Sequence, residues 1–206
     1  MFQDTKNTNE PKDPQAGSEP QYSSNLLEIK TAFTKEGFSI FKAQDVPEVA
    51  EVFEAAATLD YLKPYANRGQ TRGAILLRDL TWQIDAEVRE FTEKIESCAL
   101  KSIMAATLDQ PSIELGEVLL NNYSKGESLA RHKDGSYRPT LKAVLLFYLT
   151  PTSDSALHIE GKNNQVINPF LKGGDCILLS PDLYHWVEEV KTPRRSLLIE
   201  LKAPEK

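Results

Sequence analysis

Apolar positions recur at helical spacing in the first half of the chain and in short, regularly spaced runs in the second. From Ser24, a predicted N-cap, Leu26, Leu27, Ile29 and Phe33 mark one helical face, and Gly37 predicts a stop before the strand-like segment FSIFK. Pro47 sits near the start of a second predicted helix, along which Val49, Val52, Phe53 and Ala56 repeat at three and four residues. Leu59 to Gly73 has no clear period. Ile84 to Leu108 reads as one long amphipathic helix, with Val88, Phe91, Ile95, Leu100 and Ile103 among its apolar positions. From about Ile113 the texture changes to IELGEVLLNNY, LKAVLLFYL, ALHIE, QVIN, DCILLS, HWVEEV and RSLLIEL, separated by turn residues. Such runs predict the strands of a sandwich or barrel.

Helices followed by strands predict an α+β domain in which a helical layer supports the sheets. Residues 1–24 are rich in Asn, Lys, Gln, Pro, Ser and Glu, with almost no apolar side chains to offset the entropy of ordering, and are expected to form a flexible tail. Residues 25–206 are expected to form a single domain, with helical support over 25–111 and the strand-rich core over 112–206. A chain of 206 residues with 40% hydrophobic content is long enough to bury one substantial core.

Charge narrows the functional classes. The net charge of -6 and pI near 5.2 show no basic surplus of the kind that phosphate neutralisation requires, which counts against nucleic acid as the main partner. Cys98 and Cys176 lie in apolar stretches, a pattern that favours two reduced, buried thiols over a disulfide and suits the cytoplasm. The N-terminus lacks the basic and apolar blocks of a leader, and no apolar run approaches the ~18 residues of a membrane span.

Candidate chemistry begins at His132-Lys133-Asp134. Two imidazoles and a carboxylate on one face of a metal, with the remaining positions open, form the ligand set of non-haem Fe(II) oxygenases. On a strand, residues two apart share a face, so His132 and Asp134 are expected to reach one ion. The pair is weak by itself: with 3 His and 30 acidic residues, chance gives a His-x-acid match in roughly four such chains of ten. Asp134-Gly135 is also a turn signal. His185 strengthens the case, because it follows the tight-turn sequence SPDLY and opens an apolar strand 53 residues after His132. Arg195 comes ten residues later, at the head of the last strand.

With these residues in place, Asn121 through Leu198 resembles the prolyl-hydroxylase-like branch of the 2-oxoglutarate/Fe(II) oxygenases. The resemblance rests on Asn121, Asn122, Tyr123 and Gly126 before His132 and Asp134, then Tyr148-Leu149-Thr150, Gly174-Asp175, His185-Trp186-Val187, Val190 and Arg195-Ser196. It implies a double-stranded β-helix, the jelly roll also seen in cupins. It further implies Fe(II) held by His132, Asp134 and His185, with 2-oxoglutarate as co-substrate and ascorbate as a candidate reductant. Arg195 is expected to grip the distal carboxylate of 2-oxoglutarate, in preference to the competing Arg194, because both the ten-residue offset and the following Ser196 match. Tyr148, Tyr123 and Asn121 are expected around the same co-substrate. The retained Asp134 favours hydroxylation over halogenation, since halogenating relatives lack that carboxylate.

The chain departs from the family around Ala156-Leu157-His158-Ile159-Glu160, where a Gly-Gly or Gly-small pair is usual, and at Thr150, where Asn is usual. His158, Arg138 and Trp186 are the candidates for substrate contact. A small molecule such as an amino acid or specialised metabolite is the first substrate class, and a prolyl or other protein side chain the second. Oxidative demethylation of nucleic acid is third, because Asn121-x-Tyr123 also occurs in enzymes of that kind. The alternative from a different class is a cupin-like metal-binding protein without turnover.

Overall fold

The computed structural model describes residues 26–57, 59, 73–76, 86–136, 138–150 and 156–204. The expected tail at 1–24, the Ser24 cap and the start of the long helix at Ile84 lie outside them.

The first helix, α1 (Leu26–Glu36), ends where predicted. Gly37 adopts φ 83°, and its N–H donates to Phe33 O at 2.8 Å, closing the last turn in the left-handed conformation that glycine enters without a Cβ penalty. The chain then forms β1 (Phe38–Lys42), a 3-10 turn at Ala43–Asp45 and α2 (Pro47–Ala57), which starts on Pro47. The hydrophobic pattern does not predict the short strand β2 (Gly73–Leu76).

The long helix expected from Ile84 to Leu108 is two helices, α3 (Ala86–Ser97) and α4 (Leu100–Thr107). Phe91 and Ile95 are buried four apart, as are Leu100 and Met104, but Ile95 and Leu100 are five apart. In an uninterrupted helix that step would rotate the second pair about 140° off the first face. The break at Cys98–Ala99 turns both pairs into the same core cluster.

The second half supplies β3 (Glu114–Tyr123), β4 (Leu129–His132), β5 (Leu141–Tyr148), β6 (Leu157–Glu160), β7 (Val166–Ile167), β8 (Asp175–Leu179), β9 (His185–Val187) and β10 (Arg194–Lys202). They pair antiparallel throughout, in a six-stranded sheet of order β1-β8-β5-β10-β3-β2 and a four-stranded sheet of order β4-β9-β6-β7. One apolar cluster joins Phe41, Leu120, Leu145, Phe147, Leu178, Leu197 and Ile199 of the larger sheet to the helices. A second cluster lies between the sheets, where Ile40, Tyr123, Tyr148 and Ile177 meet Leu157, Ile159 and Val187. The central strands of the larger sheet are thus covered on both faces, and all five residues of β8 are buried. Both cysteines are free thiols, and burial pushes Cys176 well above the usual range. No helix among the described residues is long and apolar enough to cross a membrane.

Candidate metal centre

In the four-stranded sheet, β4 and β9 pair with His132 directly opposite His185 and Leu129 opposite Val187. Facing residues of an antiparallel pair project to the same side, so both imidazoles point into the space between the sheets, beside Ile159. Their ring centroids are 4.2 Å apart.

Asp134 reaches them from a turn and not from the strand. β4 stops at His132, and Asp134 lies in the turn that follows. The turn signal of Asp134-Gly135 and the metal-ligand pattern of His132-x-Asp134 are therefore both realised. Gly135 fixes the turn: its N–H donates to Pro181 O at 2.8 Å, and a Cβ there would come within 2.9 Å of that oxygen. The close approach ties the Asp134 turn to the segment that leads into His185.

Asp134 Oδ1 lies 3.4 Å from His132 Nε2, and its Oδ2 lies 3.5 Å from His185 Nε2. One donor atom from each residue falls within 4.8 Å of the others. Nδ1 of His132 is 2.8 Å from Ala130 O, and Nδ1 of His185 is 3.3 Å from Leu183 O. A carbonyl only accepts, so each Nδ1 carries a proton, and in the neutral ring this leaves the Nε2 lone pair directed at the centre. With both rings neutral, two lone pairs and a carboxylate that face one another are relieved by a cation among them, and separations near 3.5 Å suit donors each about 2 Å from a shared ion. The donor set therefore fits a divalent metal with open positions.

The larger sheet faces this centre with β10 and its neighbours. Arg194 stands opposite Tyr123 on β3, and Ser196 stands opposite both Asn121 and Tyr148. These five side chains thus share the inner face, and all are buried. The Arg194 guanidinium carbon lies 4.7 Å from the Tyr123 ring centroid and 5.5 Å from that of Tyr148. Asn121 Oδ1 is buried without a hydrogen bond on the same face.

Arg195 is placed differently from the sequence expectation. Alternation along β10 turns it to the helical side, where Nε donates to Asn122 Oδ1 and Nη2 to Leu59 O, both at 2.8 Å. Burial lowers its pKa from the usual guanidinium value. The guanidinium that enters the space between the sheets belongs to Arg194, nine residues after His185.

The three substrate-contact candidates also change place. His158 pairs with Trp186 across β6 and β9, one residue out of step with Ile159 and His185, so both project to the outer face of the smaller sheet. There the rings stack with centroids 4.9 Å apart and planes 6° from parallel, and His158 Nε2 lies 3.2 Å from Glu188 Oε1. Arg138 grips Glu200 with two guanidinium nitrogens, Nη2 to Oε2 at 2.9 Å and Nη1 to Oε1. Gly135, Pro181 and Glu200 were not singled out from sequence. In sequence Gly135 carries a turn signal alone, and nothing local marks Glu200 as the partner of a residue 62 positions away.

No family model and no curated protein sequence matches the chain. Solved structures match it by fold. An oxidoreductase of the 2OG-Fe(II) oxygenase family from Burkholderia pseudomallei superimposes with a TM-score of 0.73 at 12% identity, over 91% of this chain and 95% of that one. A prolyl hydroxylase from Trichoplax adhaerens, in complex with a peptide of the hypoxia inducible factor oxygen degradation domain, gives 0.63 at 15% identity over 86% and 88%. The epimerase SnoN, in complex with Fe3+, alpha ketoglutarate and nogalamycin RO, gives 0.61 at 13% identity over 86% and 83%. The likeness to these neighbours is one of architecture, and the chain has the fold of the 2OG-Fe(II) oxygenases.

Proposed function

We propose that the protein is a non-haem Fe(II)- and 2-oxoglutarate-dependent dioxygenase on a double-stranded β-helix, hydroxylating a C–H bond of a small molecule such as an amino acid or specialised metabolite. The observation that carries this reading is the convergence of His132, Asp134 and His185 from β4, the turn after it and β9, opposite a buried Arg194 on the inner face of the larger sheet. SnoN with Fe3+ and alpha ketoglutarate supports the choice of metal and co-substrate.

His132 and His185 would hold the metal through Nε2, and Asp134 through its carboxylate. The backbone carbonyls of Ala130 and Leu183 keep both imidazoles in the required tautomer. Arg194 takes the distal carboxylate of 2-oxoglutarate in place of Arg195, because a planar guanidinium grips both oxygens and the rings of Tyr123 and Tyr148 hold it in a dry setting. Asn121 and the two phenols complete that pocket. When bound, Fe(II) and 2-oxoglutarate supply the oxidising power: oxygen is consumed, the co-substrate becomes succinate and carbon dioxide, and the substrate gains one oxygen atom. The apolar side chains between the sheets exclude water from the reacting centre. The carboxylate of Asp134 supports hydroxylation over halogenation, since the family resemblance implies that halogenating members lack it.

A protein side chain is the second substrate class, favoured by the fold shared with a prolyl hydroxylase that binds a peptide. Incubation with Fe(II), ascorbate and 2-oxoglutarate should release succinate even without the substrate, and a lysate component should gain one oxygen. Absence of both turnover and 2-oxoglutarate binding would sink the oxygenase reading in favour of a metal-binding protein without turnover.

A further inference from the structure

The pairing of Arg138 with Glu200 has consequences for the metal centre. Glu200 is a carboxylate on the six-stranded sheet with 4% of its side chain exposed. It lies on the inner face of β10, three alternations beyond Arg194, with Ser196 and Leu198 between. It accepts both guanidinium nitrogens of Arg138 and the N–H of Glu117, the latter at 3.0 Å, and Lys202 Nζ lies 3.5 Å away. Gly116 leaves the room this cluster occupies, because a Cβ there would meet Glu200 Oε2 at 2.6 Å.

Arg138 in turn belongs to the turn that carries Asp134. Its N–H donates to Gly135 O at 3.0 Å, while Gly135 N–H donates to Pro181 O. A continuous chain of bonds therefore runs from β10 through Glu200 and Arg138 to the Asp134 turn, and on to the segment before His185. Both neighbouring imidazoles are anchored by their own strands, whereas Asp134 sits beyond the end of β4 and depends on the turn for its place.

We infer that Arg138 and Glu200 are positioning residues for the metal, a bidentate clamp that holds the Asp134 carboxylate in register with His132 and His185. The clamp rests on the metal centre proposed above. It requires fork geometry as well as charge, so lysine at 138 is not equivalent to arginine.

The test is metal binding by the metal-free protein, followed by Mn(II) titration and by the ligand-field absorption of the Co(II) form. Arg138→Lys and Glu200→Gln should each weaken Mn(II) binding by roughly ten- to a hundredfold, and should shift the Co(II) bands as the carboxylate leaves its place. The double variant should bind no worse than the weaker single, because both changes release the same clamp. Where Glu200→Gln does not fold, Glu200→Asp shortens the clamp while keeping its charge and should show the same direction of change. A purely structural pair would lower the melting temperature and leave the Co(II) spectrum as in wild type. Folded variants with wild-type affinity and spectrum, alongside a His132→Ala control that has lost metal, would overturn the clamp and leave the metal centre standing. A wild-type protein that takes up neither metal would overturn both.

Discussion

His132, Asp134 and His185 gather two imidazoles and a carboxylate into one group. Asp134 in particular leaves the strand to present its carboxylate to two imidazole lone pairs. His132→Ala and Asp134→Ala should each abolish Fe(II)-dependent succinate release and Mn(II) binding at concentrations that saturate wild type; retention of wild-type rates would refute the metal assignment. The adjacent arginines of β10 make a sharper comparison. Arg194→Ala should raise the KM for 2-oxoglutarate by ten- to a hundredfold or more, since a charged, bidentate contact of roughly 1.5–3 kcal/mol is lost. Arg195→Ala should leave that KM within about threefold of wild type. It should instead lower stability by about 1–3 kcal/mol, because the Leu59 carbonyl and Asn122 lose a charged donor. The reverse pattern in co-substrate titrations would restore Arg195 as the anchor. Spacing alone favours Arg195, and the sequence hides the answer for a physical reason. Both faces of β10 are buried, so its polarity pattern does not distinguish the metal side from the helix side, and only the pairing of Arg194 with Tyr123 does.

At the scale of elements, α1, β1 and α2, and each strand written as a long apolar run, follow directly from periodicity and punctuation by Gly37 and Pro47. Other features, β2 among them, do not. The division between α3 and α4 depends on the five-residue step from Ile95 to Leu100, which looks like helix periodicity until both pairs must face one core. Strand β4 is four residues long with an intermediate or exposed burial pattern, and Leu129 alone packs against the cluster between the sheets, too little to mark a strand. The outward setting of His158 and Trp186 is fixed by register against His185, a long-range property invisible in a single strand. The turn after β4 is where local chemistry has the greatest reach. Gly135→Ala should force the Asp134 turn away from Pro181, because the added Cβ meets a backbone oxygen that has little freedom to retreat. Overpacking of this kind costs about 1–3 kcal/mol, and Mn(II) affinity should fall by roughly tenfold. Unchanged affinity in isothermal titration would show that the turn absorbs the methyl group without moving Asp134.

At the scale of the molecule, the proposed ligands divide between the two sheets. All three metal donors come from β4, its following turn and β9, whereas Arg194 comes from the larger sheet. On the proposed reading, metal alone would tie together parts of one sheet, and a 2-oxoglutarate that met both the metal and Arg194 would link the two sheets across the apolar layer. Linkage makes this visible in unfolding. A ligand present at a hundred times its Kd stabilises the folded state by about 2.7 kcal/mol, and for a domain of this size each kcal/mol moves the melting temperature by roughly 2–4 °C. Mn(II) at that excess should thus raise the midpoint of the metal-free protein by about 5–10 °C, and 2-oxoglutarate should add a further increment only when Mn(II) is present. Asp134→Ala should remove both increments, and Arg194→Ala the second alone. A 2-oxoglutarate increment that appears without metal, or that survives Arg194→Ala, would mean that the co-substrate is not held between the sheets in the manner proposed.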